Sequence, residues 1–218
     1  MRFRDEFRRV VPAGLELPEA LGMLFDWVED QGLVVEREGT RVGTLFPRDR
    51  MIASWTETSR EGGTDIEFEA RGDRDLQLWF GTDDRRVLDR VGVFARTGAD
   101  GSTAALWRDD DGRSRIVHLG SGSGSTLTCV LAEEPVDFLR LLAIGYDEIC
   151  WDEAYGRPPN AEGAELRVEP NEVYREWVRS TFGVVIAETA SEIVRHPDGM
   201  DDAAPVDAFA RWMQSVRR

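Results

Sequence analysis

Two histidines, two cysteines and one serine-rich run are the residues whose types could support acid–base or nucleophilic chemistry. Histidine is the commonest general base. His118 lies in the alternating run RIVHL, and His196 lies in a turn before Pro197. Cys129 lies in TLTCVL, a strand expected beside that of His118. A Cys–His pair would need an activating signature or an orienting third group, and neither accompanies these residues, so His118 and Cys129 are expected to be non-catalytic. The chain has no HExxH, no metal-spaced pair of histidines and no CxxC. The run GSGSGST at 120–126 departs from GxGxxG, because Ser125 stands where the last glycine belongs, and it lacks the GK[ST] end of a phosphate loop. It reads as a flexible connection between strands. Asp109-Asp110-Asp111-Gly112 resembles the start of a calcium loop, but Trp107 occupies the position of the first ligand. Adjacent carboxylates such as Asp152 and Glu153 arise by chance among 42 acidic residues, so no acid–base dyad stands out. No catalytic residue, metal or cofactor is expected.

The tryptophans and the charge point to binding instead. Trp27, Trp177 and Trp212 fall on predicted helices, and Trp55, Trp79 and Trp107 on or near predicted strands. Core packing is the ordinary use of such side chains. Trp107 and Trp151 differ because each borders carboxylates: Asp109 and Asp110 beside the first, Asp147, Glu148, Asp152 and Glu153 beside the second. An aromatic anchor among steering charges suits a protein interface, and these eight residues form the candidate partner-binding set. The net charge is −15, and every basic residue is an arginine. So negative a chain does not hold a phosphate backbone through counterion release, which argues against nucleic acid. It attracts basic partners and raises their encounter rate.

The elements that must position these residues follow from periodicity. A helix is expected after Pro18, with Leu21, Leu24, Phe25 and Val28 on one stripe and Gly32 as its stop. From residue 33 to 131 the period changes to two. Short runs (VVE, RVGTLF, IEFEA, LQLWF, VGVFAR, TAALWR, RIVHL, TLTCVL) alternate with glycine- and aspartate-rich breaks. Asp111-Gly112 should turn a hairpin that pairs residues 104–107 with 116–119. Helical period returns at Pro135 with Phe138, Leu141, Leu142 and Ile149, and Trp151 is expected at the end of that helix. After a Pro- and Gly-rich loop at 156–170, helices are expected at 171–182, with Val173, Trp177 and Val178 inward, and at 188–195. A last helix should open at Pro205 and carry Val206, Phe209, Trp212, Met213 and Val216. The plan is α+β: a single, mostly antiparallel sheet flanked by N-terminal and C-terminal helices. Residues 1–155 would form the domain, and 156–218 a helical extension packed on it. No apolar run of membrane-spanning length and no secretory leader is seen, and two cysteines cannot build a disulfide framework. A soluble cytoplasmic protein that makes no membrane contact is the expectation.

One segment resembles a known family. Residues 90–142, RVGVFARTGADGSTAALWRDDDGRSRIVHLGSGSGSTLTCVLAEEPVDFLRLL, are similar to the central part of SUKH-superfamily domains of the bacterial toxin-immunity type. The valine-rich strand ending in Leu-Gly at 117–120 and the acidic residue leading into Phe-Leu at 134–139 carry the likeness. LPEALGMLFDWVEDQGL at 17–33 resembles the family's leading helix and its glycine stop. The likeness covers about residues 13–155. It implies an α+β fold with one sheet, no catalytic residues, and the binding and blocking of a cognate toxin encoded nearby, often a nuclease or deaminase. Other members are regulatory scaffolds, which makes a non-catalytic protein-interaction module the alternative.

Overall fold

The computed structural model describes residues 1–217. In chain order the elements are α1 (Phe3–Val10), α2 (Glu19–Asp30), β1 (Val34–Arg37), β2 (Thr40–Thr44), α3 (Arg48–Ser54), β3 (Ser59–Arg60), β4 (Glu67–Gly72), α4 (Leu76–Phe80) and α5 (Arg85–Leu88). Then come β5 (Val91–Arg96), β6 (Thr103–Arg108), β7 (Ser114–Leu119), β8 (Thr128–Ala132), α6 (Pro135–Ile144), β9 (Arg167–Val168), α7 (Glu172–Phe182) and α8 (Ala208–Val216). Seven strands form one antiparallel sheet in the order β1-β2-β4-β5-β6-β7-β8, and β3 and β9 form a separate parallel pair. The fold is α+β, with helices from both ends of the chain against the sheet.

The period of two along the strands sends side chains to two apolar layers. On β6, Ala104 and Leu106 join the larger core beneath α1, α2, α6 and α7, where Phe25, Phe94 and Phe138 meet edge to face or tilted. Ala105 and Trp107 face the other layer, with Phe80 of α4, Leu88 of α5, and Phe209, Trp212 and Met213 of α8. With both faces covered, the central strands read as nearly continuous apolar runs rather than clean alternation. The Asp111-Gly112 turn is a hairpin tip, with Gly112 at φ 80° and Ala104, Ala105 and Leu106 opposite His118, Val117 and Ile116.

Several sequence expectations are corrected. LQLWF is helix α4, not a strand, so Trp79 sits on a helix. It starts after Asp75 in the left-handed region and stops at Gly81, too short for helical periodicity to register. Helices α1, α3 and α5 went unread: α1 precedes the proline that marks the next helix, and α3 and α5 span only 7 and 4 residues. The helix from Pro135 ends at Ile144, because Gly145 turns left-handed at φ 97°. Trp151 therefore lies in a loop. Residues 188–195 contain a single 3-10 turn, Ala190–Glu192, instead of a helix. Helix α8 begins at Ala208 with Asp207 as its cap, leaving Val206 exposed, and Val173 of α7 points outward too.

Candidate functional site

Gly145 releases the chain from α6 into a loop that a buried arginine organises. Arg60 of β3 has a fully buried side chain, and Nε and Nη2 both lie 2.6 Å from Asp147 Oδ1. Its Nη2 also donates to the Asp147 carbonyl at 3.0 Å and Nη1 to the Glu61 carbonyl at 3.0 Å. The Trp55 ring lies 5.4 Å from the guanidinium carbon. A buried cation needs such saturation, because an unpaired one would drive water back in. The result is a fixed Asp147, with its carboxylate partly exposed.

The next residue is held just as firmly. Glu148 accepts from the Ala99 amide at 2.7 Å through Oε1, and from the Trp151 indole at 2.9 Å and the Cys150 thiol at 3.4 Å through Oε2. Trp151 is thereby pinned while the residue stays 40% exposed. Across from it, the strand pair β3–β9 and Asn160 hold the loop at 157–168. The Asn160 side chain accepts from the Val168 amide at 2.7 Å and donates to its carbonyl at 2.9 Å, and Tyr146 donates to the Arg157 carbonyl at 2.7 Å. Between the two loops lies a cleft of about 550 Å³. Its floor includes Tyr146, Leu166 and Val168, and its charged rim is Asp147, Glu153, Glu162 and Glu165 against Arg157. Exposed Trp55, the C-cap of α3, lies over Arg60 beside the Arg60–Asp147 pair, and exposed Ile52 precedes it by three residues on α3.

A second knot supports the first. Asp100 accepts from the Ser102 amide and hydroxyl at 2.9 and 2.8 Å, the Ser121 hydroxyl at 2.7 Å and the Ser125 amide at 2.8 Å. Burial opposes its ionisation, yet these hydrogen bonds hold its carboxyl below the usual range. Ser125 in turn donates to the Cys150 carbonyl at 2.6 Å. The serine-rich run is therefore not a loose connection; it is folded around Asp100 and buttresses the Trp151 loop. Gly98 is required there, since an added Cβ would stand 2.5 Å from the Cys150 sulfur.

The eight residues proposed from sequence do not form one surface. Asp147, Glu148, Trp151, Asp152 and Glu153 share the loop after α6, and burial with Glu153 alongside raises the Asp152 carboxyl above its usual range. Trp107, Asp109 and Asp110 lie at the far end of β6, a strand of six residues, roughly 17–20 Å long. Trp107 is also unavailable to a partner. It is 2% exposed, because α8 covers it with Phe209 and Trp212 at ring distances of 5.3 and 5.5 Å. Asp109 is buried as well. It accepts from the Asp111 and Arg113 amides at 3.0 and 2.8 Å and from Arg115 Nε at 2.8 Å. Burial opposes its charge, but Arg115 and those amides keep its carboxyl below the usual range. Asp110 is exposed and pairs with Arg90 at 2.8 Å. Both clusters border a tryptophan in sequence, and only the packing of α8 separates an exposed ring from a buried one.

His118 and Cys129 are cross-strand partners, as their strands implied. The histidine is fully buried, with Nδ1 2.8 Å from the Leu127 carbonyl and Nε2 2.8 Å from the Thr97 hydroxyl. A carbonyl only accepts, so Nδ1 carries the proton and Nε2 accepts from Thr97. Burial lowers the imidazole to about 4 and pushes the Cys129 thiol well above its ordinary value. Among the described residues no group of three or more His, Cys, Asp or Glu is placed to hold a metal ion, and no helix is long and apolar enough to cross a membrane.

Sequence reasoning missed Trp55, Arg60 and the loop at 157–168. Arg60 has no local pattern that marks it, since its partner lies 87 residues away. Comparison with known proteins returns no matching family model, no matching curated protein and no matching solved structure.

Proposed function

We propose that this protein is a binding module of the immunity type, which neutralises a basic, nucleic-acid-targeting toxin by covering its active site in the cytoplasm. The observation that carries the reading is Trp151, pinned by Glu148 and half-exposed at the mouth of an acidic cleft of about 550 Å³. A rigid indole anchors an interface at low entropic cost, and burying it on binding releases apolar surface from water. The rim offers four carboxylates against one arginine, which suits an arginine or lysine side chain entering beside the ring. Trp55 and Ile52 extend the contact area, and the net charge of −15 steers a basic partner toward it. Nuclease and deaminase clefts are basic because their substrates are anionic, so they are complementary in charge to this face.

The reading is tested with the toxin encoded beside the gene. Trp151→Ala should weaken the complex at least tenfold, mainly through faster dissociation. Glu153→Arg should mainly slow association at low salt. Asp110→Arg, at the far end of β6, should leave both rates unchanged. Equal loss at all three positions would point to general charge alone and remove the cleft as the binding site.

A further inference from the structure

We infer that the chain carries a second, cationic pocket that binds a small oxyanion, a phosphate or carboxylate group on a compact ligand. This pocket has a volume of about 260 Å³ and shares no residue with the acidic cleft. It is built where the segment after the 190–192 turn passes the start of α8. Arg195, His196 and Arg211 supply its donors, and Val130, Ile193 and Val206 its apolar wall.

The charge arrangement carries the argument. The chain has 42 acidic and 27 basic residues, so a concave site with surplus positive charge runs against its composition. The pocket contains two carboxylates, and both are occupied. Glu133 pairs with Arg115 at 2.8 Å. Asp207 caps α8, accepting from the Phe209 and Ala210 amides at 2.8 and 3.0 Å, and it accepts from the Val130 amide at 3.0 Å. Arg195 and Arg211 have no carboxylate within ion-pairing distance among the described residues, although the protein pairs most of its other arginines. Arg211 is aimed by one bond from its Nη1 to the Val206 carbonyl, which leaves its remaining donors free. A guanidinium presents its donors as a planar fork that matches two oxygens of a carboxylate or phosphate. Two such forks on a short apolar wall define a ligand with an anionic head and a small apolar body.

The experiment is a titration of the full-length protein, uniformly labelled with nitrogen-15, with inorganic phosphate and in a separate arm with succinate. Ionic strength is held constant with sodium chloride. The expected result is saturable shifts confined to the amides of residues 193–196 and 206–211. Affinity should fall tenfold or more in both Arg195→Glu and Arg211→Glu, two exposed positions whose exchange spares the core, and should be unchanged in Arg9→Glu, an exposed position on α1. Tighter binding of phosphate assigns the site to phosphoryl groups, and tighter binding of succinate assigns it to carboxylates. Shifts that grow linearly without saturating, that saturate elsewhere, or that persist in both pocket variants overturn the inference.

Discussion

Replacing Asp147 with alanine should destabilise the fold by about 2–3 kcal/mol, more than the loss of a surface ion pair, which contributes at most about 1 kcal/mol. The difference comes from Arg60. Its side chain is fully buried, and Asp147 is its only carboxylate partner among the described residues, at 2.6 Å. Without that partner the guanidinium stays buried and uncompensated. Stranding a buried charge typically costs about 3–5 kcal/mol. The Asp147 side chain is 42% exposed, so water can enter the vacated place and return part of that cost. Arg60→Met removes the charge together with its hydrogen bonds to two carbonyls, at about 1–2 kcal/mol. In the double variant no charge is stranded, so the combined cost should fall short of the sum of the single costs by about 2 kcal/mol. Urea melts at neutral pH followed by far-ultraviolet circular dichroism resolve this. With a slope of about 2–3 kcal/mol per molar, Asp147→Ala should lower the midpoint by about 1 M. A loss below about 0.5 kcal/mol, or single costs that add within about 0.5 kcal/mol, would refute the claim that this pair organises the loop.

Three further outcomes follow from the same contacts. His118 titrates at about 4 in the fold against 6.5 when free, so its contribution is intact above the unfolded value and is lost as pH falls through 6.5 toward 4. Between pH 7 and 4.5 this amounts to about 2–3 kcal/mol, and His118→Asn should flatten the pH dependence of the unfolding free energy by roughly that amount; an unchanged slope would contradict a buried, neutral imidazole at this position. Asp207→Ala should cost about 2–3 kcal/mol in chemical denaturation, because it removes a cap from α8 and leaves the buried Val130 amide without an acceptor. The thiols of Cys129 and Cys150 are buried and raised above their ordinary values, so a thiol-exchange reagent should label neither within minutes in the native state and both in denaturant. Rapid native labelling of either would show that the loop around Cys150 or the strand around Cys129 opens readily.

Sheet and hairpin were legible because both rest on short-range rules. Alternating side chains and Asp-Gly at 111–112 specify the β6–β7 pairing without reference to the rest of the chain. The Pro135 helix start was visible for the same reason, but Gly145 ends the helix well short of Trp151, where its end was expected. Half of the candidate site was legible: the acidic residues around Trp151 could be seen in one stretch. The rest depends on tertiary geometry. Trp107 and Trp151 have similar sequence surroundings, and their fates differ because α8, about a hundred residues downstream of Trp107, lies over one of them. Arg60 and Asp100 organise the site through partners distant in sequence, in the first case Asp147 and in the second the serine run. Composition could show many carboxylates and many arginines, but not which of them would be buried together.

The central claim, that an acidic, tryptophan-anchored cleft neutralises a basic toxin, is tested most directly in living cells. The proposed toxin, sought among the neighbouring genes, is expressed alone, with this protein, and with the Trp151→Ala variant at matched levels. The account predicts killing by the toxin alone, full rescue by the native chain, and rescue lost or sharply reduced with Trp151→Ala although that variant folds normally. Killing unchanged by the native chain, with no complex on size-exclusion chromatography, would contradict it and leave a regulatory interaction module in its place.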